Sequence, residues 1–84
     1  MKVEEDGCTL SIYIDVKERS IYLADFNSVY TGMGIFTEFL TKQIQILKYH
    51  YPGYLIYADC NAKGTGVSIK AGGRVTEILN RITF

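Results

Sequence analysis

The sequence predicts a small α/β (α+β) domain, a mixed but mainly antiparallel sheet with one dominant helix, in the order β-β-α-β-(short α)-β. Three observations carry that expectation. Residues 8–17 alternate apolar and polar side chains, the period of a half-buried strand. Phe36, Phe39, Leu40, Ile44, Leu47 and Tyr51 recur at spacings of three and four, the stripe of an amphipathic helix. Residues 54–60 then form a short, nearly continuous apolar run, as a central strand covered on both faces would.

In the first strand, Leu10, Ile12, Ile14 and Val16 share one face, and Ser11, Tyr13, Asp15 and Lys17 the other. Residues 17–20 make a polar turn, and residues 21–26 resume as a strand that pairs with the first as an antiparallel hairpin. Residues 27–31 are polar and turn-like, and the helix is expected to start near Gly34. Glu38 in its first turn and Lys48 near its end suit the helix dipole, and Pro52-Gly53 stops it. The strand at 54–60 is expected beside the one before the helix, parallel to it and reached by a right-handed crossover. Residues 61–66 read as a loop and 67–71 as one or two helical turns ended by Gly72-Gly73; in 74–84, Val75, Ile78, Leu79 and Ile82 fit a helix and Ile78, Ile82 and Phe84 one strand face, and strand is preferred because so many of its residues are β-branched.

The chain has 84 residues, nine basic and nine acidic, with zero formal net charge. It reads as a single domain spanning residues 1–84, with a thin core. Self-association into a homodimer is one way for so short a chain to bury more surface. Without a basic excess or a basic cluster, nucleic acid is not an expected partner. No apolar run approaches a membrane span, so no membrane partner is expected; the acidic start, lacking a signal-peptide core, points to the cytoplasm. Cys8, Cys60 and the single histidine, His50, have no metal-ligand spacing, and no metal site is expected. Gly64-Thr65-Gly66 lacks the Lys-Ser/Thr of a phosphate-binding P-loop.

The stretch that points to chemistry is Gly32-Met33-Gly34-Ile35-Phe36-Thr37, between a strand and the long helix. Glycines turn the chain sharply and let a ligand approach the backbone. The first N–H groups of the helix lack intrahelical partners and sit at its positive end, which favours a phosphate. A ligand-free strand-to-helix turn has the same sequence pattern.

Taken with the order of elements, Val29-Tyr30-Thr31-Gly32-Met33-Gly34 resembles the cofactor motif Arg/Gln-x-x-Gly-x-Gly/Ala of the GNAT superfamily of acyl-CoA-dependent N-acyltransferases. Residues 57–61, ending in Asn61, resemble the end of that family's next strand, and residues 68–75 its Tyr-x-x-x-Gly-Phe segment, with Ser68 at the tyrosine and Arg74 at the phenylalanine. Val29 stands at the Arg/Gln position, and the family's N-terminal strand and two helices have no counterpart. The resemblance implies acetyl-CoA or another acyl-CoA as cofactor. Its pyrophosphate would lie on the backbone of Gly32, Met33, Gly34, Ile35, Phe36 and Thr37. Its pantetheine arm would lie along Ala24, Asp25 and Phe26, near Asn61. The implied reaction is transfer of an acetyl group to an amine, the acceptor being an unidentified protein or small molecule. Asp25, Tyr57 and Asn61 are the candidate catalytic residues. The alternative is a GNAT-like scaffold without chemistry, acting as a protein-interaction or inhibitory module through its seven tyrosines.

Overall fold

Asp6 and Gly7 both hold positive φ, 50° and 78°, as a two-residue hairpin turn requires. They join β1 (Lys2–Glu5) to β2 (Cys8–Asp15), antiparallel partners in register from Lys2–Ser11 to Glu5–Cys8. This first strand is additional to the expected elements, although Asp-Gly beside an alternating run is a strong local hairpin signal. The computed structural model describes residues 1–29 and 34–84.

The described residues form β1, β2, β3 (Ser20–Ser28), α1 (Ile35–His50), β4 (Leu55–Asp59), α2 (Ala62–Lys70), β5 (Arg74–Val75) and β6 (Arg81–Thr83). They make one six-stranded sheet, ordered β1-β2-β3-β4-β6-β5. Every neighbouring pair is antiparallel except β3–β4, which is parallel as expected. The architecture is thus a mixed α+β domain with a mostly antiparallel sheet and two helices.

Several expectations need correction. The element order has an additional strand in front. Val16 is 68% exposed, because β2 stops at Asp15, whose carboxylate accepts the Glu18 N–H at 3.0 Å and starts the turn. The loop expected at 61–66 is largely helix: the Asn61 carboxamide oxygen caps α2 by accepting the Gly64 N–H at 2.9 Å. The tail is a hairpin, β5 and β6, around a turn in which Asn80 adopts φ 65°.

The core lies on one face of the sheet. Leu10, Ile12, Ile21, Leu23, Ile56, Ala58 and Ile82 point from the strands onto Phe39, Leu40, Ile44 and Leu47 of α1, all buried. Each of the Leu, Ile and Phe side chains among them contributes about 1.5–3 kcal/mol when fully removed from water. The opposite face carries no helix among the described residues. β4 is therefore covered on one side only, against expectation: Ile56 and Ala58 are buried while Leu55 is 53% exposed. The parallel neighbour was read correctly; the second covering layer was not there. On this open face Tyr13, Tyr22 and Tyr57 stand opposite one another in three adjacent strands. Their ring centroids are 6.2 and 5.2 Å apart, and the Arg81 guanidinium lies 4.5 Å above the Tyr57 ring.

Candidate functional site

The site arises from an irregularity in β3. Thr9 faces Asn27 and Ser11 faces Ala24, so Asp25 and Phe26 together oppose Leu10. This is a β-bulge, and Asp25 takes it up at φ 55°, a left-handed conformation that Asp tolerates better than most residues. The extra residue turns Phe26 onto α1, where its ring lies 5.5 Å from Phe36.

The parallel pairing of β3 and β4 runs from Ser20–Leu55 to Leu23–Ala58 and ends there. β3 continues to Ser28, whereas the chain after β4 turns to β6, Cys60 N–H donating to the Asn80 carbonyl at 2.8 Å. Beyond Leu23 the two strands part. A cleft of about 430 Å³ occupies the gap, within the usual size of a ligand pocket. Its walls are residues 23–28 of β3, Gly34 to Thr37 at the start of α1, residues 59–61 after β4, and Lys63, Gly64, Val67 and Lys70 of α2.

Of the sequence-derived candidates, Ala24, Asp25, Phe26, Gly34, Ile35, Phe36, Thr37 and Asn61 all line this cleft. Gly32 and Met33, like Tyr30, lie outside the described residues. Gly34 is the residue before α1, with φ 69° and no side-chain cap, and a Cβ built on it would meet nothing within 4 Å. Among the described residues nothing crowds Gly34, and the start of α1 lines the cleft, where a ligand can approach its N–H groups. Asn61 uses its oxygen to cap α2, which leaves its amide NH₂ as the group able to donate. Tyr57 is the exception: it stands outside the cleft, in the tyrosine row of the open face.

Gly64 lets α2 close against the end of β4, since a Cβ there would sit 3.2 Å from the Cys60 Cβ. Ser68 is fully buried against Cys60, with Oγ and Sγ 3.5 Å apart. It lies behind the cleft wall, so it cannot serve as an acid inside the cleft. Cys8 and Cys60 are both free thiols and buried. Among the described residues, no group of His, Cys, Asp and Glu is placed to hold a metal ion. No described helix is long and apolar enough to cross a membrane.

Charge is divided along the cleft. Lys63 and Lys70, two turns apart on α2, share its wall, and neither forms an ion pair among the described residues. Asp25 and Asp59 stand on the sheet side. Arg81 donates to both oxygens of Asp59, at 2.9 and 3.1 Å, which holds that carboxyl below its ordinary range and raises the guanidinium. Asp25 has no such partner among the described residues. Tyr22, beside this rim, is raised by partial burial and then by the negative fields of Asp59, Tyr57 and Asp25. Lys63 and Lys70 are cleft residues beyond those expected from the sequence. Their seven-residue spacing was a signal only once α2 was known to begin at Ala62.

In comparisons with known proteins, the chain matches no family model, no curated protein and no solved structure.

Proposed function

We propose that the domain binds an acyl-CoA in the cleft between β3 and β4 and transfers its acyl group to an amine, in the manner of the GNAT superfamily. The observation that carries this reading is the parting of the two parallel strands at the Asp25 bulge, directly beside the uncapped start of α1. The order β-β-β-α-β-α-β-β, with its parallel pair enclosing the long helix, supports the same reading, and so do the two unpaired lysines on the α2 wall.

The residues present fit such a ligand in kind. The edge of β3 from Ala24 to Phe26 faces the cleft, with β2 on its other side. Past Leu23 no described strand pairs with this edge, so its N–H and C=O groups suit an amide-bearing arm. Gly34, Ile35, Phe36 and Thr37 at the positive end of α1, with Lys63 and Lys70, suit phosphates. Asn61 would donate its NH₂ to a carbonyl between the two. When bound, acyl-CoA supplies a thioester activated toward an amine. Asp25, the cleft carboxylate with no ion-pair partner among the described residues, would accept the proton that the amine must lose. An N–H of the β3 edge would hold the developing oxyanion. The position of Tyr57 favours giving it no part in this chemistry.

Calorimetric titration with acetyl-CoA tests the reading. Micromolar binding is expected, and Gly34→Asp should abolish it: Asp tolerates positive φ, finds open space there, and places a carboxylate where the phosphates would lie. A folded protein that gives no binding heat refutes the proposal. The interaction-module reading then gains ground, favoured by the exposed tyrosine row.

A further inference from the structure

We propose that a second copy of this chain packs on the open face of the sheet, tyrosine row against tyrosine row, and completes the outer rim of the cleft. The inference rests on the surface, not on any ligand.

The molecule measures 36 × 27 × 17 Å, thin in one direction because both helices lie on one side of the sheet. Its broad dimensions match the ~800 Å² per partner that a stable interface covers. The residues of this face are those of interfaces. Tyr13, Tyr22, Tyr57, Leu55 and Arg81 occupy its centre. In β2, β3, β4 and β6 the face includes no Lys or Glu, two of the residues depleted where proteins meet, and Lys2 and Glu4 of β1, on the same face, pair with each other at its edge.

The occupant follows from charge. The central charges, Asp59 and Arg81, neutralise one another within the chain. Such a patch asks for no oppositely charged partner, as a nucleic acid or an anionic membrane would need. A two-fold interface instead requires that the same patch face itself. Phenols satisfy that demand, because each hydroxyl both donates and accepts. Zero net charge removes the long-range repulsion between copies. Ala24, Asp25 and Asp59 line the cleft beside this row. The partner's surface would therefore form the wall that an acceptor meets there.

Sedimentation velocity without added ligand, from about 1 to 300 µM, tests this independently of the cofactor. A dimer with micromolar dissociation constant is expected. Tyr13→Lys should weaken it at least tenfold, since it sets two like charges near the two-fold axis. Tyr49→Lys, on the exposed outer face of α1, should leave it unchanged. If Tyr13→Lys does not fold, Leu55→Lys, at another half-exposed position on the same face, gives the same reading. A wild-type protein that stays monomeric throughout overturns the proposal. So does a dimer that tolerates the lysine on the sheet face.

Discussion

Two glycines near each other in sequence should respond to alanine in opposite directions. At Gly73 a Cβ would lie 2.7 Å from the Ser68 carbonyl oxygen and 3.1 Å from the Phe84 ring, and it would also run into the Ile82 methyl. The carbonyl cannot step aside: it accepts the Gly73 N–H at 2.8 Å and belongs to the last turn of α2. Overpacking against fixed atoms costs about 1–3 kcal/mol, and a backbone obstacle puts Gly73→Ala in the upper half of that range. A domain of this size has about 4–12 kcal/mol in total. At roughly 4–8 °C per kcal/mol, the midpoint should fall by about 10–20 °C. Gly66, exposed on α2, has nothing within 4 Å of its Cβ position. There alanine gains about 1 kcal/mol of helix propensity, and the midpoint should rise by about 4–8 °C. Thermal melts followed by far-UV circular dichroism, with urea titrations for equilibrium values, measure both. A Gly73→Ala protein that melts within a few degrees of wild type would show that α2 does not pack on β6 as described. A drop for Gly66→Ala would show that the glycine-rich segment is not helical.

Three further outcomes follow from the cleft and its rim. Asp25→Gly should be neutral or stabilising, whereas Asp25→Val should cost about 1–2 kcal/mol through the left-handed backbone; equal stabilities in a denaturant titration would remove the bulge. Lys63→Gln and Lys70→Gln should each weaken acetyl-CoA several-fold and flatten its salt dependence, while acetyl-pantetheine, which lacks the phosphates, binds both variants like wild type. If both ligands weaken equally, the lysines do not meet phosphate. The depressed carboxyl of Asp59 contributes stability that is full above its unfolded value of 3.8 and is lost as pH falls through its lower folded value. Asp59→Asn should therefore lower the melting point at neutral pH slightly and make no difference in strong acid; a gap that persists there would assign the loss to packing instead.

Much of the fold was readable because its signals are local. Leu10, Ile12 and Ile14 announced a strand by alternation, and the Phe36–Leu47 stripe a helix by period. The errors came where short-range chemistry was subtler or tertiary packing decided. Asp6-Gly7 encoded a turn that was overlooked, and Asn61 encoded a helix cap that two following glycines disguised. Leu55 and Tyr57 made β4 look buried on both sides, because tyrosine and leucine count as apolar whether or not anything covers them. For the site, the glycine before α1 and the strand at Ala24–Phe26 were found by their sequence neighbours. The cleft itself was not, since a bulge appears only when two strands are compared in register. Tyr57 was placed near Asp25 by its strand and kept from the cleft by its level along β4, where it still pairs with Tyr22 before the two strands part.

The parallel seam between β3 and β4 also bears on how the chain assembles. β1, β2 and β3 close through short turns, and β5 and β6 through another, so their contacts form between near neighbours. The seam joins residues more than thirty positions apart and consists of four residue pairs. Long-range pairing of this kind is slow, because the loop must close before any contact rewards it. The seam is therefore the expected last event of folding, with α1 as the brace that brings its two sides together. The cleft begins where the seam ends. A ligand bound there would bridge the two halves just past their last paired residues, fastening the join against unzipping and raising the temperature at which the halves separate.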